Sequence, residues 1–242
     1  MGLAEMIRDA GVVGAGGAGF PTHIKANSRA DIVLANGAEC EPLLRVDRLM
    51  MQRYPQKVVT GLAAMVEAVG AREGVLCVKK KYTKAIEALT KAIQGMDNMR
   101  LFLLDNYYPA GDEQQMVYEV TGQVVPTGGI PLDVGAVVCN VSTLINIAEA
   151  MDGRPVTDKY LTVGGEVDRP VTLRVPIGTP YGALIAAAGG PETLKDHTLI
   201  IGGPATGNLC TDLEEPVTKT TGGILRSEER RVGKECRSRW SP

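Results

Sequence analysis

Four short apolar runs in the first 140 residues predict buried β-strands. They are DIVLA at 31–35, GVLCV at 74–78, RLFLL at 100–104 and GAVVC at 135–139. Stretches with apolar residues three and four positions apart predict helices at 3–10, 46–70 (entered around Pro55), 82–95 and 142–151. This alternation predicts an α/β fold with a Rossmann-like, mostly parallel sheet that helices cover on both faces.

The pattern changes after Pro155. Short strands are expected in KYLTVGGEV at 159–167, VTLRVPIG at 171–178 and HTLIIGGP at 197–204, with a small helix in TPYGALIAAAGG at 179–190. Short strands separated by Pro and Gly turns predict a small β-rich module with one helix. We place the boundary between the two parts near residues 153–157.

The last residues, RSEERRVGKECRSRWSP at 226–242, differ from everything before them and show no apolar periodicity. Their many Lys and Arg residues are compatible with an RNA-binding or membrane-binding arm. The run also reads as the in-frame translation of a common sequencing adapter, and we favour this second interpretation. We therefore exclude 226–242 from the fold and expect the natural chain to continue differently beyond Leu225.

The composition argues against several classes of protein. The net charge of −2 gives no electrostatic reason to expect nucleic acid as a partner. No window has the roughly 18 apolar residues of a membrane span, and the N-terminus lacks a signal-peptide pattern, so a cytoplasmic location is expected. The five cysteines are scattered without a C-x-x-C pair. We expect reduced thiols and no metal site.

The stretch GVVGAGGAGFPTHIK, residues 11–25, contains a glycine-rich segment at 14–19 that we call the glycine loop. Its sequence matches the motif G-x-G-x-x-G, but a dinucleotide-binding turn with this motif follows a β-strand. A helix is predicted before it instead, from the spacing of Leu3, Met6, Ile7 and Ala10. Its backbone N–H groups are suited to wrapping a phosphate or lying against an aromatic ring. The alternative is that the glycines only permit tight turns.

Each predicted strand runs into a polar or turn segment. These segments are NGAECEP at 36–42, Lys79–Lys81, YYPAGDEQ at 107–114 and NVST at 140–143. Because the carboxyl ends of parallel strands lie along one edge of a sheet, the four segments are expected to meet there. This convergence predicts a binding site that the glycine loop covers.

The members of this set also have structural explanations. Asn140 and Thr143 are natural caps for the following helix. Glu39 and Glu41 are compatible with a solvated pair in a loop. For Lys79–Lys81 we favour a solvated strand end.

The chemistry that these residues suit is flavin binding. Lys25 offers a positive charge to a phosphate, and the Asn36 and Asn140 amides suit the polar edge of an isoalloxazine. The carboxylates of Glu41 and Glu113 can accept hydrogen bonds from a ribose or a nicotinamide amide. Because no nucleophile–base pair is visible, redox chemistry carried by a cofactor is favoured.

Five motifs, GAGGAGFPTHIK, NGAECEP, YPAGDEQ, TGQVVPTGGIPLDVG and NVSTLIN, together resemble the flavoprotein subunit family of respiratory complex I. They are most similar to its Rnf-complex C-subunit branch and to the related cobalamin reductase of propanediol utilisation. The resemblance runs from about Ile7 to Leu225. It implies an FMN- and NADH-binding domain at 1–153 and an SLBB β-grasp domain at 154–206. Residues 207–225 would begin the connection to a part, missing here, that holds two 4Fe–4S clusters.

The resemblance also implies roles for individual residues, with no metal ligand among them. It places Glu41 where nicotinamide stacks on flavin, as the catalytic residue. Ala15, His23 and Ala26 depart from the complex I pattern, which has Arg, Gly and Trp at these positions, and Ala38 replaces an acidic residue. The residues implied to bind the cofactors are Gly14, Gly16, Gly17, Gly19, Phe20, Lys25, Asn36, Glu39, Tyr108, Gly111, Glu113, Asn140 and Thr143.

The function that follows from the resemblance is that of an electron-entry subunit. In an Rnf-like ion-translocating NADH:ferredoxin oxidoreductase, it would lie on the cytoplasmic face of the inner membrane, bound to the other subunits. A corrinoid reductase that serves a B12-dependent pathway is the alternative from the same family. A non-catalytic ligand-binding or scaffold protein is the alternative of a different class.

Overall fold

The computed structural model describes residues 2–191, 193–194 and 197–227. The chain divides into two compact units. The first unit comprises the chain up to Cys40 together with Asp47–Val156. The second comprises Glu41–Val46 and the chain from Thr157 onward. The loop after the first strand therefore contributes a short segment to the second unit.

Within the described residues, the first unit contains a four-stranded sheet. Its strands are β1 (Ile32–Asn36), β2 (Glu73–Lys79), β3 (Met99–Leu104) and β4 (Ala136–Asn140), and their order is β3-β2-β1-β4. Every neighbouring pair is parallel. The predicted parallel sheet is confirmed, and each apolar run coincides with its strand to within one residue at either end.

The helices that accompany this sheet are α1 (Leu3–Asp9), α2 (Thr22–Ala26), α3 (Val46–Arg53), α4 (Pro55–Val69), α5 (Thr83–Ala92), α6 (Glu113–Thr121) and α7 (Val141–Met151). The stretch predicted as helical over 46–70 is two helices. Tyr54 has non-helical dihedral angles, and Pro55 begins α4 at the position where a missing N–H costs no hydrogen bond. Nowhere in the described part of the chain is a helix both long and apolar enough to span a membrane.

Helices cover both faces of the sheet, as predicted. One face presents Leu34, Val75 and Val138, which form a buried cluster with Met116 and Val117 of α6. Because side chains alternate along a strand, the intervening positions point to the opposite face. There α4 contacts β1 and β2, and α7 contacts β1 and β4.

Two helices, α2 and α6, are not predicted by the apolar pattern. Each is short and lies in a segment whose Gly and Pro residues indicate a loop. For α6 a local signal exists, because the Asp112 side chain accepts hydrogen bonds from the N–H groups of Gln114 and Gln115. An aspartate in this position is a typical helix N-cap.

The second unit contains a mixed sheet in the order β6-β5-β9-β7-β8. Its strands are β5 (Asp158–Gly165), β6 (Val171–Pro176), β7 (Thr198–Ile201), β8 (Asn208–Cys210) and β9 (Gly223–Ser227). Helix α8 (Tyr181–Ala187) supplies Leu184 and Ile185 to the core of this unit. The helix and the parallel β5–β9 pair agree with the expected β-grasp module. Strands β8 and β9 are not predicted by the pattern.

Strand β9 extends the fold beyond the expected limit. Arg226 and Ser227 pair with Leu199 and Thr198 of β7, and Arg226 is 7% exposed. The structure thus includes these two residues in the fold, because their backbone completes a sheet register, and the interpretation of 226–242 as a translated sequencing adapter stays a prediction. The rest of the adapter-like run, 228–242, lies outside the described residues.

Candidate functional site

The glycine loop is closed at its base by a short antiparallel bridge. Val13 pairs with Pro21, and the Gly14 N–H donates to the Phe20 carbonyl at 2.9 Å. Gly17 and Gly19 have φ angles of +123° and +65°, which L side chains rarely adopt. As predicted, the element that precedes the loop is a helix, α1, and not a strand. The loop is a closed hairpin-like projection, unlike the strand-to-helix turn of a dinucleotide site.

The backbone of the loop presents a row of hydrogen-bond donors. Residues 15–18 form a turn, but within the described residues no backbone hydrogen bond of standard geometry takes its N–H from Gly16, Gly17, Ala18 or Gly19. A Cβ added at Gly17 would meet no atom within 4 Å. Consecutive N–H groups of this kind form a concave binding site for anions.

Two residues at the start of α7 hold the loop in place. The buried Thr143 hydroxyl accepts a hydrogen bond from the Ala15 N–H at 2.9 Å. A Cβ built on Gly16 would lie 3.4 Å from the Asn140 side chain, so the loop backbone lies against that amide. Thr143 thus anchors the loop through a bond that its predicted role did not include.

Lys25 comes from the short helix α2 and points toward the middle of β4. Its Nζ donates to the Val138 carbonyl at 2.6 Å and lies 3.7 Å from a Glu113 carboxylate oxygen. The same atom is 5.5 Å from the centre of the Phe20 ring, which is 41% exposed. One ammonium therefore brings the loop, α6 and β4 together, and these predicted site residues converge.

The two asparagines lie side by side, because Asn36 and Asn140 are register partners on β1 and β4. Asn36 donates to the Gly111 carbonyl at 2.8 Å and accepts from the Ala38 N–H at 3.1 Å. Asn140 accepts from the Ser142 N–H at 2.8 Å. An amide has two N–H groups and two lone pairs, so these bonds leave each asparagine capacity for a ligand.

The segment after β3 packs against the loop after β1. The Gly111 N–H donates to Cys40 Sγ at 2.8 Å. A Cβ at Gly111 would lie 2.9 Å from that sulfur and closer still to the Ala38 carbonyl oxygen. Gly111 is thus required for this close approach. Tyr108, in the same segment, is 60% exposed.

Lys79 lies at the edge of the site, in one of the four strand-end segments expected to meet there. The interpretation of a solvated strand end is wrong for Lys79, which is 5% exposed, whereas Lys80 and Lys81 are exposed. The Lys79 Nζ donates to the Glu39 carbonyl at 3.0 Å, since the last residue of β2 points under the neighbouring loop. This contact fixes the backbone of Glu39.

Glu41 belongs to the second unit and contacts the loop after β7. Its carboxylate accepts hydrogen bonds from the Ala205 N–H at 2.9 Å and from the Thr206 hydroxyl. A Cβ at Gly203 would collide with the Glu41 side chain. Glu41 thus holds this loop of the second unit, and its assignment as the catalytic residue stays a prediction.

The four cysteines in the described part of the chain belong to no metal-binding cluster. Cys40, Cys77, Cys139 and Cys210 are free, and the described residues hold no cluster of three or more His, Cys, Asp or Glu side chains that could bind a metal. Burial raises the pKa of Cys139 to about 11, although the Lys25 charge opposes the shift. The Cys139 thiol beneath the site is therefore neutral at physiological pH.

Comparison with known families gives two matches in succession along the chain. Residues 7–149 match the Nuo51 FMN-binding domain, and residues 160–207 match the SLBB domain. The first match includes the glycine loop, Lys25, both asparagines and Gly111. The second covers most of β5 together with β6, α8 and β7 of the second unit, and it ends before β8.

Two curated relatives each align with 92% of this chain. Cobalamin reductase PduS of Salmonella typhimurium is 49% identical over 224 residues, and the alignment covers 49% of its length. The C subunit of the Na(+)-translocating ferredoxin:NAD(+) oxidoreductase complex of Acetobacterium woodii is 41% identical over 231 residues, with 52% of its length covered. The chain thus spans about half the length of these relatives.

A solved structure shares the fold of the chain. The crystal structure of an NAD+-reducing [NiFe]-hydrogenase in the air-oxidized state superposes with a TM-score of 0.80. The superposition covers 95% of this chain and 47% of that chain, at 24% sequence identity. The similarity extends over both units.

Proposed function

The chain belongs to the Nuo51 FMN-binding domain family, and on this premise we propose that it binds FMN at the glycine loop and transfers electrons between NADH and that flavin. The observation that carries the proposal is the row of N–H donors at Gly16–Gly19, with the Lys25 ammonium 5.5 Å from the ring of Phe20, the residue that follows this row. A concave backbone without side chains and a nearby cation suit a flavin phosphate and ring.

Different residues of the first unit are proposed to bind different parts of the cofactor. The glycine loop and Lys25 receive the anionic part, and the half-exposed Phe20 ring offers an apolar surface. Asn36 and Asn140 offer their remaining amide groups to the polar edge of the ring. When bound, FMN supplies hydride acceptance from NADH. Tyr108 and Glu113 are proposed to line the nucleotide side of the site.

In the whole protein, this module is proposed to be the electron-entry subunit of an Rnf-like ion-translocating NADH:ferredoxin oxidoreductase. The relative from Acetobacterium woodii, named as a subunit of such a complex, supports this assignment. The proposal includes partner subunits, a place at the cytoplasmic face of the membrane, and two 4Fe–4S clusters in sequence outside this chain.

The relative named cobalamin reductase supports a second candidate, in which a corrinoid receives the electrons. The test uses the acceptor, in which the two candidates differ. A full-length version loaded with FMN and NADH can be offered ferredoxin and cob(III)alamin separately. Faster reduction of ferredoxin supports the first candidate, and faster reduction of the corrinoid supports the second.

Reconstitution tests the proposed function directly. The purified chain, and a full-length version, are incubated with FMN and separated from free flavin on a sizing column. We expect flavin absorbance to co-elute with the protein and, for the full-length version, to bleach when NADH is added. Protein that elutes without flavin, or flavin that NADH leaves oxidised, contradicts the proposal.

Lys25→Met is expected to weaken FMN binding by about ten- to a hundredfold, because an ion pair with a phosphate is among the stronger polar contacts. Methionine keeps much of the side-chain length and removes the charge. Fluorescence quenching of FMN gives the Kd. The matched control is Lys84→Met, which removes an exposed lysine from α5 and should leave the Kd unchanged. Equal Kd values for the two variants would show that Lys25 does not contribute to FMN binding.

A further inference from the structure

We infer that Asp47 is a positioning residue that fixes which side of the Asn140 amide faces the glycine loop. The inference rests on the proposed function, since it concerns flavin bound at that loop. Asp47 lies in the first turn of α3. One of its carboxylate oxygens accepts a hydrogen bond from Asn140 Nδ2 at 2.8 Å, and the other accepts from the Ser142 hydroxyl at 3.1 Å.

The Asn140 amide is held by polar contacts on both of its ends. Its Oδ1 accepts the Ser142 N–H at the start of α7, and its Nδ2 donates to Asp47. A half-turn of the amide would set Oδ1 against the Asp47 carboxylate and Nδ2 against the Ser142 N–H. Both contacts would then be repulsive, because an amide oxygen is only an acceptor and an amide nitrogen only a donor.

The held amide lies directly against the loop that we propose as the flavin cradle. A Cβ on Gly16 would be 3.4 Å from both Asn140 Nδ2 and Cβ. The amide nitrogen thus lies beside the row of backbone N–H donors, and the orientation of the amide decides whether a donor or an acceptor is found there. Asp47 strengthens the donor orientation, since a hydrogen bond to a charged acceptor is stronger than one between neutral groups.

A purely structural role makes a different prediction. If Asp47 only ties α3 to α7, its removal lowers stability, and its effect on FMN should add to that of an Asn140 change. If Asp47 acts through Asn140, the two effects are not additive, because the second change removes a group whose orientation no longer matters. A double-mutant cycle separates these possibilities.

The cycle uses Asp47→Ala, Asn140→Ser and the double variant of the whole chain, with FMN as the probe. Serine keeps an acceptor that can cap α7 and deletes the amide. We expect Asp47→Ala to raise the Kd for FMN about tenfold, in keeping with a hydrogen bond to a charged group. The double variant should bind no more weakly than Asn140→Ser alone. The midpoint potential of the bound flavin should shift in Asp47→Ala.

Two further variants make the test specific. Asp47→Asn keeps an acceptor for the Asn140 amide and should restore most of the affinity and the wild-type potential. Asp105→Ala removes an exposed acid that is paired with Lys80, and should change neither quantity. Melting temperatures of all variants without FMN identify any that fail to fold.

The outcomes separate the inference from the proposed function. Wild-type protein that binds no FMN overturns the proposed function and the inference with it. Wild-type binding that Asp47→Ala leaves unchanged in both Kd and potential overturns the inference alone. Fully additive effects in the double variant also overturn it, because they assign Asp47 a structural role that is independent of Asn140.

Discussion

Gly61→Ala is expected to lower the melting temperature by about 6–12 °C, which corresponds to roughly 3 kcal/mol in a chain of this size. Gly61 lies within α4, at the point where this helix crosses α7. A Cβ there would lie 2.7 Å from the Leu144 carbonyl carbon and closer still to its oxygen. Because the obstructing atoms are backbone, the helices must separate, and a forced repacking of this kind costs about 1–3 kcal/mol or more.

The direction in which Gly61→Ala changes the melting temperature is the informative result. In an ordinary helix interior, alanine is favoured over glycine by about 1 kcal/mol. Thr60→Ala, at the exposed neighbouring position in α4, is the matched control and should leave the melting temperature equal or slightly higher. Thermal unfolding followed by circular dichroism compares the three proteins. A Gly61→Ala protein that melts at or above the wild-type temperature would show that the α4–α7 contact is looser than described.

The sheet of the first unit was predictable because three of its strands, β1, β2 and β4, are buried on both faces. A run such as IVLA in β1 or VLCV in β2 has no charged position, and this is the pattern of a central parallel strand. Strands β8 and β9 carry no such signal, since β8 is short and exposed at Asn208 and Leu209. Their positions depend on pairing with residues distant in sequence, which periodicity does not encode.

The location of the site at the strand ends could be predicted from the sequence. Most of its side-chain contacts could not. The sequence pattern anticipated that the strand ends meet at one edge, but not the register that sets Asn36 beside Asn140. The burial of Lys79 under Glu39 depends on the path of a loop after another strand. The Asp47 contact joins residues 93 positions apart. Such pairs require the three-dimensional path of the chain.

The positioning contacts divide the site into two layers. In one layer, hydrogen bonds from three residues hold other parts of the site. Thr143 holds the glycine loop, Asp47 holds Asn140, and Lys79 holds the loop after β1. The donors of Gly16–Gly19 have no such partner within the described residues. A preformed site of this kind binds with a small cost of ordering, because the groups that meet the ligand are already held.

Gly17→Leu is expected to abolish FMN binding while leaving the protein folded. Gly17 has a φ of +123° and no neighbour within 4 Å, so a side chain there would project into open space instead of the core. On the proposed function that space belongs to the cofactor, and leucine fills it. Forcing an L residue into the left-handed region costs about 1–2 kcal/mol, which a folded unit of this size tolerates. Fluorescence titration with FMN measures the binding.

The matched control is Gly95→Leu in the turn after α5, because Gly95 also has a positive φ, +80°, and no atom within 4 Å of a built Cβ. The two variants should lose similar stability, since both pay the same kind of backbone strain. Only Gly17→Leu should lose FMN. If Gly17→Leu binds FMN as Gly95→Leu does, the loop is not the cradle. If neither the variants nor the wild-type protein bind FMN, the remaining interpretation is a non-catalytic binding or scaffold protein that keeps the glycine loop for its turns alone.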